Sequence, residues 1–77
     1  MVTVKVFSSP NCHGCEQVKA FLTKNKIKFQ SIDVTKDAQA LTEMIERTGQ
    51  MKVPVTDIDG ELFIGAALQD IGAKLGI

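Results

Sequence analysis

The run Val2-Thr3-Val4-Lys5-Val6-Phe7 is β-branched and nearly all apolar. After one short loop it gives way to apolar positions at helical spacing, Cys15, Val18, Phe21 and Leu22. A buried strand that feeds straight into a helix leaves few folds open. The next strand, where it joins the same sheet, lies parallel to the first, because the helix carries the chain back across the sheet, and the crossover is right-handed. Such a strand is present in pattern. From Ile27 to Val34 the chain alternates, with Ile27, Phe29, Ser31 and Asp33 on one face and Ile32 and Val34 on the other.

The remaining elements follow from the same signals. Ser8-Ser9-Pro10-Asn11 has turn chemistry. The first helix is predicted from about His13 to Asn25, with Glu16 and Lys24 placed to suit its dipole and Asn25 as its stop. Thr35-Lys36-Asp37 offers N-cap candidates for a second helix marked by Ala38, Leu41, Met44 and Ile45 and closed by Gly49. Val53-Pro54-Val55-Thr56 and Glu61-Leu62-Phe63-Ile64 read as short strands joined through Asp57-Ile58-Asp59-Gly60, in which Asp-Gly is a hairpin signal. Ala66 to Leu75 reads as a last helix, weakened by Gly72. The order β-α-β-α-β-β-α implies an α/β fold: a mixed four-stranded sheet flanked by three helices.

All 77 residues are expected to form a single domain, 1–77. A domain this small buries only about 60% of its unfolded surface, so its stability is modest. The apolar share of 44% is that of an ordinary globular fold. Nine basic residues balance nine acidic ones, which argues against nucleic acid and against a polybasic membrane patch. Trp and Tyr are absent and only four Phe are present, so no platform for stacked bases is visible. The same shortage of aromatic and arginine anchors disfavours a large permanent interface, and a monomer is expected. No segment approaches the roughly 18 apolar residues of a membrane span. Strand-like residues begin at Val2 and leave no room for a signal peptide, so the expected location is cytoplasmic.

Cys12 and Cys15 are the chain's two cysteines. As a structural staple they would close a tiny loop and remove little entropy from the unfolded chain. They are better read as chemistry. Cys12-His13-Gly14-Cys15 sits between the first strand and the first helix, and a CxxC in a β-α-β context reads as a redox pair. Unpaired N–H groups and the dipole at a helix start favour an anion, so Cys12 is expected to be the thiolate nucleophile. Cys15 shares a helix face with Val18 and Leu22 and is expected to be the buried resolving thiol. Cys12 attacks a substrate disulfide to give a mixed disulfide, and Cys15 then attacks the Cys12 sulfur and frees the reduced substrate. A larger thiolate fraction is largely offset by lower intrinsic nucleophilicity; the greater benefit is that Cys12 becomes a good leaving group in the second step. His13 either donates a hydrogen bond to the Cys12 sulfur or is simply solvated. A zinc site is disfavoured, because four ligands are usual and only His13 remains as a soft partner.

With these residues in place the chain resembles a glutaredoxin or glutaredoxin-like redoxin of the thioredoxin fold, over nearly its whole length. The matching pieces are Val4-Lys5-Val6-Phe7 before the CxxC, Ile32-Asp33-Val34, Thr48-Gly49-Gln50-Met51-Lys52-Val53-Pro54-Val55, and Ile58-Asp59-Gly60 leading to Gly65. The resemblance implies a cis Val53–Pro54 bond facing the cysteines, although residue type alone favours trans. It also implies pairing of the Val53 backbone with an extended substrate, and a substrate site that includes His13, Gln50, Lys52, Val53, Pro54 and Gly65. It implies no tightly bound cofactor, glutathione as a co-substrate, disulfide-containing proteins as substrates, either glutathione or thioredoxin reductase as electron donor, and a part in electron transport and cell redox homeostasis. The chain departs from the family in three places. His13-Gly14 stands where Pro-Tyr is usual, Ser9 where many glutathione-binding members carry Lys, and Gly65-Ala66-Ala67-Leu68 keeps one Gly and lacks the usual acid. Weakened glutathione binding is the expectation. The alternative class is a small copper or zinc carrier using the CxxC as ligands; it needs a hairpin after the strand ending near Val34, where this chain shows helical spacing instead.

Overall fold

The computed structural model describes residues 2–77. The elements are β1 (Val4–Ser8), α1 (His13–Lys24), β2 (Gln30–Asp33), α2 (Ala38–Thr48), β3 (Val55–Ile58), β4 (Glu61–Ile64) and α3 (Leu68–Leu75). The sheet order is β2-β1-β3-β4. β1 and β2 are parallel, as the crossover demands, with Lys5 opposite Gln30 and Ser8 opposite Asp33. β1 and β3 are antiparallel, as are β3 and β4. This is the mixed sheet with three helices that the sequence predicts, in the thioredoxin topology. Its second strand leads into a helix, so the carrier fold, with its hairpin at that point, is not this one.

Two apolar layers hold the sheet. Val4 and Val6 of β1 and Ile58 of β3 meet Val18 and Leu22 of α1 and Ile71 of α3 on one face. Phe7 and Val55 meet Ala40 and Met44 of α2 on the other. β1 thus serves both layers, with Val4 and Val6 on one face and Phe7 on the other, which is why so much of this strand is apolar. Gly72, which lowers the helical tendency of α3, has a reason to be there: a Cβ at this position would lie 3.2 Å from Phe21 Cζ, so its absence lets α3 settle on α1. Among the described residues no helix is long and apolar enough to cross a membrane.

Several element limits differ from expectation, each for a local reason. β2 begins at Gln30 and not at Ile27, because the chain needs the intervening residues to leave α1: Asn25 caps the helix, Lys26 has a φ of 60° and Ile27 N–H returns to Leu22 O at 2.9 Å. Ile27 and Phe29 still pack on the α1 layer. β3 starts at Val55, since Pro54 has no N–H to give to a ladder, and it runs on to Ile58. The turn is the two-residue Asp59-Gly60, both at positive φ (51° and 95°), the conformation that a tight hairpin favours. Asp57 Oδ1 accepts the Gly60 N–H at 2.8 Å and fixes that turn. α3 begins at Leu68, with Ala67 as an N-cap that has no side chain to satisfy the first N–H groups.

Candidate active site

β1 ends, and β3 begins, at the same end of the sheet, and the loop from β1 brings Cys12 there. Cys12 is the N-cap of α1, with extended backbone (φ −104°, ψ 106°). Its sulfur accepts the Cys15 N–H at 3.2 Å, the role that a Ser or Asp oxygen takes at most helix starts. The helix therefore begins on a sulfur. An N–H that would otherwise lack a partner points at the sulfur expected to carry negative charge, and the positive end of the helix adds to it. Cys12 is partly exposed, while Cys15 is 1% exposed on the face that carries Val18 and Leu22. The two sulfurs are bonded, with the Cα atoms 5.2 Å apart. The pair is thus asymmetric in the way the chemistry requires, one sulfur reachable and the other covered.

The second wall of the site comes from residues 49–54. The α2 helix ends on Gly49 in the left-handed conformation. Thr48 Oγ1 accepts the Gln50 N–H at 3.1 Å and also lies 2.8 Å from Met44 O, which ties the loop to the helix end. Val53–Pro54 is cis, as the resemblance implies. Pro54 is buried, and its carbonyl accepts the Gly65 N–H at 2.8 Å. Its ring lies against the turn between the cysteines: a Cβ at Gly14 would sit 3.2 Å from Pro54 Cδ and 3.8 Å from Ala66 Cβ. Cys12, Cys15, Pro54 and Gly65 therefore gather at one end of the sheet, with Val53 half-buried next to Pro54. Gln50 and Lys52 are exposed on the loop before it, and His13 is exposed on the first turn of α1. The hydrogen bond reaching the Cys12 sulfur comes from the Cys15 backbone.

Gly14 is the site residue that the sequence reading passed over. Its signal was there, since a glycine in a helix's first turn costs helical stability relative to alanine and asks for a reason; the approach of Pro54 supplies one. Leu68, which stands where the family's acid is usual, packs against the α1 layer. Asp33, at the same end of the sheet, accepts from Thr35 Oγ1 at 2.6 Å and from Thr35 N–H at 2.9 Å, and these bonds hold its carboxyl below the ordinary range. A shallow depression lined by Gln39, Thr42, Glu43, Glu46 and Arg47 runs along α2 and includes none of the cysteine-site residues.

The Glutaredoxin family model matches residues 4–63, a span that takes in the CxxC and Val53-Pro54. The chain is 34% identical over 62 residues to an uncharacterised glutaredoxin-like 8.6 kDa protein in the rubredoxin operon of Clostridium pasteurianum, covering 80% of this chain and 83% of that one. It is 33% identical over 58 residues to N-acetyl-S-hydroxy-L-cysteine reductase of Bacillus subtilis, covering 75% of this chain and 62% of the relative. Among solved structures, a variant of the thioredoxin-like protein BC3987 superposes with a TM-score of 0.92 at 31% identity, covering 97% of this chain and 96% of that one. Sequence, topology and the helix that starts on a cysteine agree: the chain belongs to the glutaredoxin family.

Proposed function

We propose that this protein is a dithiol–disulfide oxidoreductase that reduces protein disulfides and, less well, glutathione mixed disulfides. The observation that carries the reading is the Cys12 sulfur at the N-cap of α1, accepting the Cys15 N–H, beside a covered Cys15. In the reduced protein the Cys12 thiolate attacks one sulfur of a substrate disulfide. A new S–S bond forms, the substrate's bond breaks, and its other sulfur leaves as a thiolate that takes a proton. Cys15 then loses its proton and attacks the Cys12 sulfur. The second substrate thiol departs, and the Cys12–Cys15 disulfide remains. Two electrons pass from the protein to the substrate. The second step is intramolecular, because the helix start already holds the two cysteines within bonding reach.

The Val53 backbone, next to the Pro54 ring that meets the turn between the cysteines, is suited to pair with an extended segment of the substrate. Gln50, Lys52, His13 and Gly65 complete the surroundings of that segment. The reaction uses no resident cofactor; a thiol donor, glutathione or thioredoxin reductase, returns the pair to the dithiol, and the protein acts as a cytoplasmic monomer. The substrate named for the B. subtilis relative, an S-hydroxylated cysteine, reacts with a thiolate at sulfur in the same way, so it belongs in any substrate screen.

The test is substitution at each cysteine. Cys12→Ser abolishes disulfide reduction. Cys15→Ser still forms a mixed disulfide, seen by mass spectrometry, but turns over slowly. Faster alkylation of Cys15 than of Cys12 in the reduced protein at pH 6 would reverse the assignment. Reduction of the oxidised protein by glutathione, compared with thioredoxin reductase plus NADPH, identifies the donor.

A further inference from the structure

Among the described residues, the buried polar side chains are Ser8 and Thr56, and no charged group is buried. The Ser8 hydroxyl donates to Ile32 O at 3.3 Å. The Thr56 hydroxyl has no hydrogen-bond partner in the protein, the one buried side-chain polar atom so placed among the described residues. The sheet says where it stands. Thr56 is directly opposite Val6, and Val6 belongs to the α1 layer, so the Thr56 side chain enters that layer too. Ile58, two residues on, lies in the same layer with Val18 and Leu22. Pro54, two residues back, meets the turn between the cysteines at Gly14. β3 and α1 both start at the site end of the sheet and run away from it, so contacts follow in the same order along each. Between the Pro54–Gly14 contact and the cluster of Ile58 with Val18 and Leu22 stand Thr56 on the strand and Cys15 on the helix, one turn before Val18. Cys15 is 1% exposed and Thr56 0%. The unpaired hydroxyl and the covered sulfur thus share one short stretch of the helix–sheet interface.

We propose that Thr56 is a positioning residue for Cys15: its hydroxyl donates a hydrogen bond to the Cys15 sulfur once the disulfide is open. The proposal rests on the dithiol reaction above and names the group that serves its covered half. In the disulfide the Cys15 sulfur is bonded to Cys12, uncharged and a weak acceptor. Two glutathione thiols open that bond: the pair gains two electrons and two protons, and one glutathione disulfide is released. Cys15 is then a thiol whose sulfur can turn to another rotamer, and it accepts more strongly once its proton leaves ahead of the attack on Cys12. A hydroxyl suits this covered place, because it has one hydrogen to give, rotates to meet its acceptor and brings no charge into an apolar layer. Packing does not account for the oxygen, since valine has the same branched shape without an unpaired group. A hydroxyl unpaired in one redox form and paired in the other favours the second. Thr56 therefore biases the pair towards the dithiol and makes the protein more oxidising.

The test equilibrates the full chain, Thr56→Val and Thr56→Ser with buffers of reduced and oxidised glutathione, and reads the free thiols by alkylation and mass spectrometry. Thr56→Val is expected to shift the equilibrium about tenfold towards the Cys12–Cys15 disulfide, a potential about 30 mV more negative. Thr56→Ser keeps the hydroxyl and is expected to stay within about twofold of the unsubstituted protein. A residue that serves packing alone alters both redox forms alike and leaves the equilibrium where it was. An unchanged equilibrium in Thr56→Val, a shift towards the dithiol, or an equal shift in Thr56→Ser overturns the proposal and leaves the dithiol reaction standing. If the unsubstituted protein forms no Cys12–Cys15 disulfide in any of these buffers, the dithiol reaction fails and the proposal with it.

Discussion

A thiol at the N-cap is an unusual choice, because Ser, Thr, Asp and Asn do the capping better. The proposed chemistry explains the choice: the atom that caps is the atom assigned to react. Thr56 presents the opposite case, a polar group left idle in the disulfide form. It is fully buried in β3, and its hydroxyl has no hydrogen-bond partner in the protein. Burying a hydroxyl unpaired costs about 1–3 kcal/mol. Valine has the same branched shape without that cost. Thr56→Val is therefore expected to raise the stability of the oxidised protein by about 1 kcal/mol, read as a higher urea midpoint with an unchanged slope. A drop in stability would mean that the hydroxyl has a partner after all. The sequence could not reveal this residue, because Val53-Pro54-Val55-Thr56 reads as a strand whichever face Thr56 takes.

At the scale of elements, the local signals carried far. Strand and helix identities, the parallel first pair, the Asp-Gly hairpin and the helix that begins on the CxxC all follow from pattern, because each is settled by near neighbours. What pattern could not supply is contact between distant segments. The ring of Pro54 against Gly14 is one example. Arg47 is another. Its guanidinium reaches from the end of α2 to Asp57 Oδ2 at 2.8 Å and Gly60 O at 3.1 Å, tying the helix to the β3–β4 turn. Burial pushes the Asp57 carboxyl towards its neutral form, but the hydrogen bonds from Arg47 and the Gly60 N–H outweigh this and hold it below the ordinary value of 3.8. A carboxyl depressed in the folded chain contributes stability above its unfolded value and loses it as pH falls through the folded one. Arg47→Ala should then cost about 1 kcal/mol at neutral pH, since the guanidinium is partly exposed and screened. At about pH 2 the same substitution should cost much less. Denaturant titrations of both proteins at the two pH values check the sign, and an equal cost at both would assign Arg47 to packing and not to charge.

For the molecule as a whole, the proposed reaction leaves a choice between glutathione and protein substrates. Ser9, in the loop ahead of the CxxC, withholds the cation that many glutathione-binding relatives place there, and Leu68 is committed to the core. Ser9→Lys tests the first without disturbing the second. An exposed pair contributes about 0.2–1 kcal/mol, so the variant should gain up to about fivefold in glutathione-dependent reduction of a small disulfide. Reduction of peptide disulfides should stay as it was. No gain would place the family difference elsewhere in the site. The identity of the fold was legible because 77 residues hold just one plausible arrangement of these elements; the choice of substrate was not, because it depends on which side chains stand in water at one end of the sheet.

The loop that holds Val53 is fastened on both sides, by Thr48 where it leaves α2 and by the Gly65 N–H where it enters β3. A template fixed at both ends has little freedom left to lose when a partner arrives. Nearly all the ordering then falls on the incoming chain, which must lie flat and extended along it. Cysteines in slack, unstructured stretches can do so at small cost, while a disulfide locked inside a folded partner would first have to be loosened. Under the proposed reaction, the stiffness of this six-residue loop becomes a filter on the state of the substrate.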